Sequence, residues 1–172
     1  GGTFSIAGGA AYAQRTARWN GATWARTPEI EGGVYDFASA DFGAGAELFA
    51  CGTFIDVDNL PSWGVARWTG THWTGVGNGV RGQCFALQGF DVGNGPRVAA
   101  GGQFALAGGS PGDYVAAWDG TTWSALGTGM NDAVAAFCVH DEGAGPRLFA
   151  AGSFTTADNA PALRIARWDG AA

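Results

Sequence analysis

The chain has 172 residues, a formal charge of −6, 31 glycines and eight tryptophans. The glycines follow no Gly-X-Y period, which excludes a collagen, and an aromatic content of 13% excludes a disordered linker. All nine basic residues are arginines against fifteen acids, which disfavours nucleic acid and anionic membranes as partners; no apolar run reaches the ~18 residues of a membrane span.

The dominant feature is internal repetition. Gly2, Gly52, Gly102 and Gly152 recur every 50 residues, each followed two positions later by Phe4, Phe54, Phe104 or Phe154. Trp19, Trp68, Trp118 and Trp168 form a second series, and Trp24, Trp73 and Trp123 a third. Asp41, Asp91 and Asp141 open an Asp-x-Gly-x-Gly stretch in three units. One residue is gained between Phe4 and Trp19, and one is lost between Trp24 and Val34. The chain therefore reads as one segment, 1–172, of units at 1–33 (partial), 34–83, 84–133 and 134–172 (partial).

Each unit predicts four short strands and no helix, since no segment keeps a 3.6-residue apolar period. The first covers 34–40, 84–90 and 134–140. An Asp-x-Gly-x-Gly turn leads back into the second, at 48–54, 98–104 and 148–154. The third covers 65–68, 115–118 and 164–168, and the fourth 73–76 and 123–126. Between the third and fourth stand Trp19-Asn20-Gly21-Ala22-Thr23-Trp24, Trp68-Thr69-Gly70-Thr71-His72-Trp73 and Trp118-Asp119-Gly120-Thr121-Thr122-Trp123. Asn-Gly and Asp-Gly tolerate the positive φ of tight hairpins, and the flanking tryptophans are placed to pack across the turn. The first strand is apolar on both parities, so it is expected to be covered on both faces. An all-β fold of four-stranded antiparallel sheets packed face to face follows, with a β-propeller as its architecture.

The repeat resembles kelch-like propeller blades, with Gly101-Gly102 ending the second strand and Trp118 and Trp123 in the aromatic positions. The fuller GGxF, ARWDGxxW and LGxGM pattern is similar to repeats of bacterial secreted or surface proteins and of fungal cortical polarity-marker proteins. The resemblance implies a β-propeller with about 3.5 blades in this chain and an extracellular or cell-surface location. Propeller rings close with ~4–8 blades. The segment is accordingly expected either to belong to a larger propeller or to associate with copies of itself. It starts without Met and reads as an excised or processed piece.

Candidate chemistry is sparse. Asp41, Asp91 and Asp141 read as turn caps, with calcium ligation as the alternative. Asp56-Val57-Asp58-Asn59 is the best oxygen cluster, but aligned Gly8, Gly9, Gly108 and Gly109 point to a left-handed turn there. His72 and His140 lack a third ligand, so no metal site is expected. Cys51, Cys84 and Cys138 match no zinc spacing and are expected to be buried free thiols. Arg18, Arg67 and Arg167 read as structural. Trp63 stands outside the repeat series in a loop, and Tyr12 and Tyr114 lie in comparable loops; these three are the candidate glycan-stacking residues. The function expected is a non-enzymatic scaffold or interaction module without a cofactor, and the alternative is a lectin-like glycan binder. A copper oxidase of the galactose-oxidase type would need His and Tyr ligands together, and the chain offers two separated histidines and three tyrosines.

Overall fold

A computed structural model describes residues 1–8, 10–12, 15–57 and 60–170, with backbone alone for 10–12 and Leu60. The chain is all-β, without helix among these residues. In chain order the strands are β1 (Ile6–Ala7), β2 (Ala10–Tyr12), β3 (Ala17–Trp19), β4 (Trp24–Arg26), β5 (Val34–Asp41), β6 (Ala46–Gly52), β7 (Asp56–Val57), β8 (Leu60–Pro61), β9 (Val65–Trp68) and β10 (Trp73–Gly75). They continue as β11 (Val80–Phe90), β12 (Arg97–Ala107), β13 (Ser110–Pro111), β14 (Val115–Trp118), β15 (Trp123–Ala125), β16 (Val134–Asp141), β17 (Pro146–Gly152), β18 (Thr156–Ala157), β19 (Ala160–Pro161) and β20 (Ile165–Trp168).

Three larger antiparallel sheets carry the repeat. Sheet one orders β5-β6-β9-β10 and sheet two β11-β12-β14-β15, with β13 paired to β12. Sheet three orders β16-β17-β20. Ahead of sheet one stand the hairpins β1–β2 and β3–β4. First strands lie next to each other, β5 along β11 and β11 along β16. The described sheets form no closed ring.

Two-residue alternation sends each sheet's side chains to two different cores. From sheet one, Phe49, Cys51 and Val65 enter the core shared with sheet two, while Ala50 and Ala66 enter another around Ile30. From sheet two, Val98, Ala100 and Trp118 join the first of these cores, while Ala99, Val115 and Ala117 join the core shared with sheet three. Small residues on the second and third strands let the sheets approach closely. The chain's opening repeats this packing: a Cβ on Gly1 would meet Val34 and Phe37, as one on Gly101 would meet Val134 and Phe137.

Two features escape the sequence pattern. Short hairpins, β7–β8 and β18–β19, and the pair β12–β13 fill what reads as loop between second and third strands. Their strands are too short for an alternation signal, but their tips are informative. Asp158 and Asn159 both have positive φ (49° and 61°), as a two-residue hairpin turn demands. Gly108 and Gly109 do the same at the aligned position; Asp58 and Asn59, half of the proposed oxygen cluster, lie outside the described residues. At the Trp turns, positive φ falls on Gly21, Gly70 and Gly120 alone, not on Asn20 or Asp119. The polar residue acts through its side chain instead.

The repeated glycine has a direct cause. Each first strand carries a bulge, between Val34 and Asp36, Cys84 and Ala86, and Val134 and Ala136. Just ahead of the bulge a carbonyl lies against the second strand; those of Gly33 and Ala133 accept from the Thr53 and Ser153 amides at 3.0 and 2.8 Å. A Cβ on Gly52, Gly102 or Gly152 would stand 1.8, 2.0 or 2.1 Å from the carbonyl oxygen of Gly33, Gln83 or Ala133. The colliding atoms are backbone, so no rotamer relieves them. Gly102→Ala is therefore expected to destabilise the chain by about 3 kcal/mol, whereas Gly93→Ala, a positive-φ glycine with open space around it, is expected to cost about 1 kcal/mol from conformation alone. Urea unfolding of both variants measures the difference.

Candidate functional site

The Trp turns are built alike from different chemistry. Ring centroids lie 5.4 Å apart for Trp19–Trp24, 5.2 Å for Trp68–Trp73 and 5.6 Å for Trp118–Trp123, all tilted or edge-on. Asp119 Oδ1 accepts from the amides of Thr121 (2.8 Å) and Thr122 (2.7 Å), and both threonine hydroxyls also donate to its carboxylate. Asn20 Oδ1 accepts from the amides of Ala22 and Thr23, and Thr69 Oγ1 accepts from the amide of His72. The Thr122 amide, first among these donors, holds the Asp119 carboxyl at about 2, below the ordinary 3.8.

Asp41, Asp91 and Asp141 also spend themselves on turns. Each Oδ1 accepts from two glycine amides, at 2.8 and 3.0 Å for Gly43 and Gly45, 2.8 and 3.1 Å for Gly93 and Gly95, and 2.7 and 2.9 Å for Gly143 and Gly145. Among the described residues, no three His, Cys, Asp or Glu side chains converge as a metal site. The exposed His72 meets the hydroxyls of Thr69 and Thr71 through Nδ1, and His140 lies beside Phe149.

The aromatic residues singled out for stacking do not share one surface. Trp63 is half-buried, has φ of 42°, and carries the Arg81 guanidinium 5.3 Å from its ring centroid. Tyr114, with φ of 69°, packs instead against the core between sheets two and three. The Tyr12 side chain lies outside the described residues.

Cys51 and Cys84 are buried in one core, and burial, with Cys84 alongside, pushes the Cys51 thiol well up. Cys138 is exposed, contrary to the expectation of three buried thiols. The expectation that every first strand is covered on both faces fails at the same place: Ala135, Ala136 and Cys138 are exposed on β16. The cause is common to both, since no described sheet lies beyond sheet three.

Bare faces at the two ends are the distinctive surface of the molecule. Val65 and Val115 are 0% and 1% exposed, whereas their counterpart Ile165 is 62% exposed, with Leu163 at 78% beside it. At the opposite end Trp19 and Trp24 are 50% and 48% exposed, against 8% for both Trp118 and Trp123. Ile165, Trp19 and Trp24 stand where interior sheets bury their residues against a neighbour, whereas the counterparts of Leu163 are the half-buried Trp63 and the exposed Asp113. Sequence reading signalled open ends but not these residues; repeat alignment with burial identifies them.

The interior tryptophans differ in one bond. Trp123 Nε1 donates to the Val76 carbonyl at 2.9 Å, but Trp73 Nε1 is buried without a partner among the described residues. The one-residue deletion between Trp24 and Val34 falls in the segment that would supply the matching carbonyl. Trp123→Phe is thus expected to cost about 1 kcal/mol more than Trp73→Phe, read by paired denaturant curves. A second expectation concerns acid. A carboxyl with a lowered folded-state value stabilises the fold above its ordinary value and loses that contribution as pH falls from about 4 to about 2. Asp119→Asn should flatten the stability profile across that window, measured by thermal melts at stepped pH. No protein-family model, curated protein or solved structure matches this chain.

Proposed function

We propose that the chain is a β-propeller segment of the kelch-like kind, acting as a non-enzymatic scaffold or interaction module, and that it joins further units through its two bare faces. The carrying observation is the pair Ile165 and Trp19/Trp24, exposed where every interior counterpart is buried or half-buried. Supporting it are the four-strand order of sheets one and two, the adjacent first strands, and two cores in series between consecutive sheets. Exposed apolar faces of this extent mark association surfaces in soluble proteins. The two faces are also complementary in kind: one presents paired tryptophans, the other the aliphatic surface on which such tryptophans rest in the interior. A glycan-binding reading has less support, because Arg81 occupies one face of Trp63 and Tyr114 belongs to another interface.

Sedimentation equilibrium tests the reading. The chain is expected to sediment as a multiple of 17.5 kDa, and Ile165→Asp is expected to shift the mass towards the monomer, because a charge in a desolvated face is costly. A monomer at every concentration that binds no apolar dye would remove the proposal.

A further inference from the structure

The core between sheets one and two departs from the repeat at three positions that meet. At the other interfaces a glycine faces a valine of the next sheet: a Cβ on Gly1 would stand 2.6 Å from Val34 Cγ1, and one on Gly101 would stand 2.7 Å from Val134 Cγ1. The same Cβ atoms would lie 2.8 and 2.7 Å from the rings of Phe37 and Phe137. At the interface in between, the glycine place holds Cys51, the valine place Cys84 and the phenylalanine place Leu87. All three lie in one core, with both cysteines fully buried. The smaller Leu87 leaves room for the side chain that Cys51 adds, and the Cys51 and Cys84 thiols share a hydrogen bond.

The spacing of these places suits a disulfide. A γ carbon sits about 1.5 Å from its Cβ, so the Cβ atoms of a Gly–Val pair would lie no more than about 4.2 Å apart, inside the ~3.5–4.5 Å that a disulfide spans. A valine at that distance excludes a Cβ opposite, whereas two thiols can turn the same closeness into a bond. Packing alone does not ask for sulfur at both places, since glycine and valine fill them at the neighbouring interfaces. Both thiols are fully buried in the folded chain, where a cysteine is inert to a dissolved oxidant. Closure therefore belongs to folding, before the two sheets seal.

We infer that Cys51 and Cys84 form a cross-sheet disulfide site, closed as the chain folds in an oxidising medium. With oxidised glutathione as the oxidant, one cysteine thiolate attacks the glutathione disulfide, forming a mixed disulfide and releasing one glutathione thiolate. The other cysteine thiolate attacks the protein sulfur of that mixed disulfide, forming the Cys51–Cys84 bond and releasing the second glutathione. Two protein thiols are oxidised, one glutathione disulfide is reduced, and the two protons pass to the released glutathiones. The bond staples β6 of sheet one to β11 of sheet two and leaves the exposed Cys138 as a free thiol. It stands independently of the scaffold reading.

The test refolds the full chain from denaturant with oxidised glutathione and, in parallel, with dithiothreitol. Trypsin cuts after arginine, so the three cysteines fall in separate peptides, 27–67, 82–97 and 98–147. Mass spectrometry without reduction is expected to find 27–67 joined to 82–97 in the oxidised sample. The melting temperature of that sample is expected about 10 °C above the reduced one. The double variant Cys51→Gly, Cys84→Val restores the pair of the other interfaces and should melt alike in both media. If it fails to fold, the two wild-type samples decide. Unlinked peptides, a link to the Cys138 peptide instead, or a linked chain that melts no higher than the reduced one overturns the inference. A linked, more stable chain that sediments as a monomer and binds no apolar dye supports it while removing the scaffold reading alone.

Discussion

The repeat depends on one close approach: a glycine of the second strand against a carbonyl oxygen of the bulged first strand. At Gly52, Gly102 and Gly152 the place of a Cβ is already held by backbone oxygen within about 2 Å. The bulge and the glycine recur side by side in all three sheets. The carbonyl is held inward by the amide that follows the glycine, as Thr53 and Ser153 donate to Gly33 and Ala133; without the glycine the second strand could not come this close. Because this junction precedes the turn back to the third strand, it fixes where the third strand and its tryptophan begin. A 50-residue period with invariant glycine placement follows from steric exclusion rather than from glycine's flexibility.

Much of this was legible in the sequence. The spacing of Trp118 and Trp123 gave the hairpin, and the two-parity apolar first strand gave sheets covered on both faces, which β11 meets and β16 does not. The short hairpins were not legible, because two-residue strands leave no alternation to read. Cys138 looked like its buried relatives because its burial depends on a neighbouring sheet, not on local sequence. The same blindness covers Ile165, which shares its pattern with Val65 and Val115 and differs only in what lies beyond it. Periodicity reports which side a residue faces; burial also needs something on that side.

Deviations from the repeat are therefore the informative positions. Removing a single residue before Val34 coincides with a buried indole N–H at Trp73 that has no acceptor among the described residues. A substitution at the Asp158 position gains a latch, since Asp158 Oδ1 accepts from the Thr128 amide and hydroxyl of the preceding unit. Asp36, with no acidic counterpart in other units, ties neighbouring first strands by accepting from the Leu87 amide at 2.9 Å. Each unit thus keeps the shared frame and adds its own attachment to the next.

The Asp-x-Gly-x-Gly loops carry a different consequence. All three join first to second strands, and Gly43, Gly93 and Gly143 have open space beside them. Their turns are held by a single carboxylate oxygen gripping two amides inside the loop, while Phe42 and Val92 anchor two of the loops on the neighbouring cores and Asn94 donates to the Gly170 carbonyl at 2.8 Å. Extra residues inserted beyond that grip would lengthen the loop outward at an entropic cost that grows only logarithmically with length. The loops thereby tolerate growth between their anchors, while the residue after each aspartate stays bound to the frame where it packs on a core, as Phe42 and Val92 do.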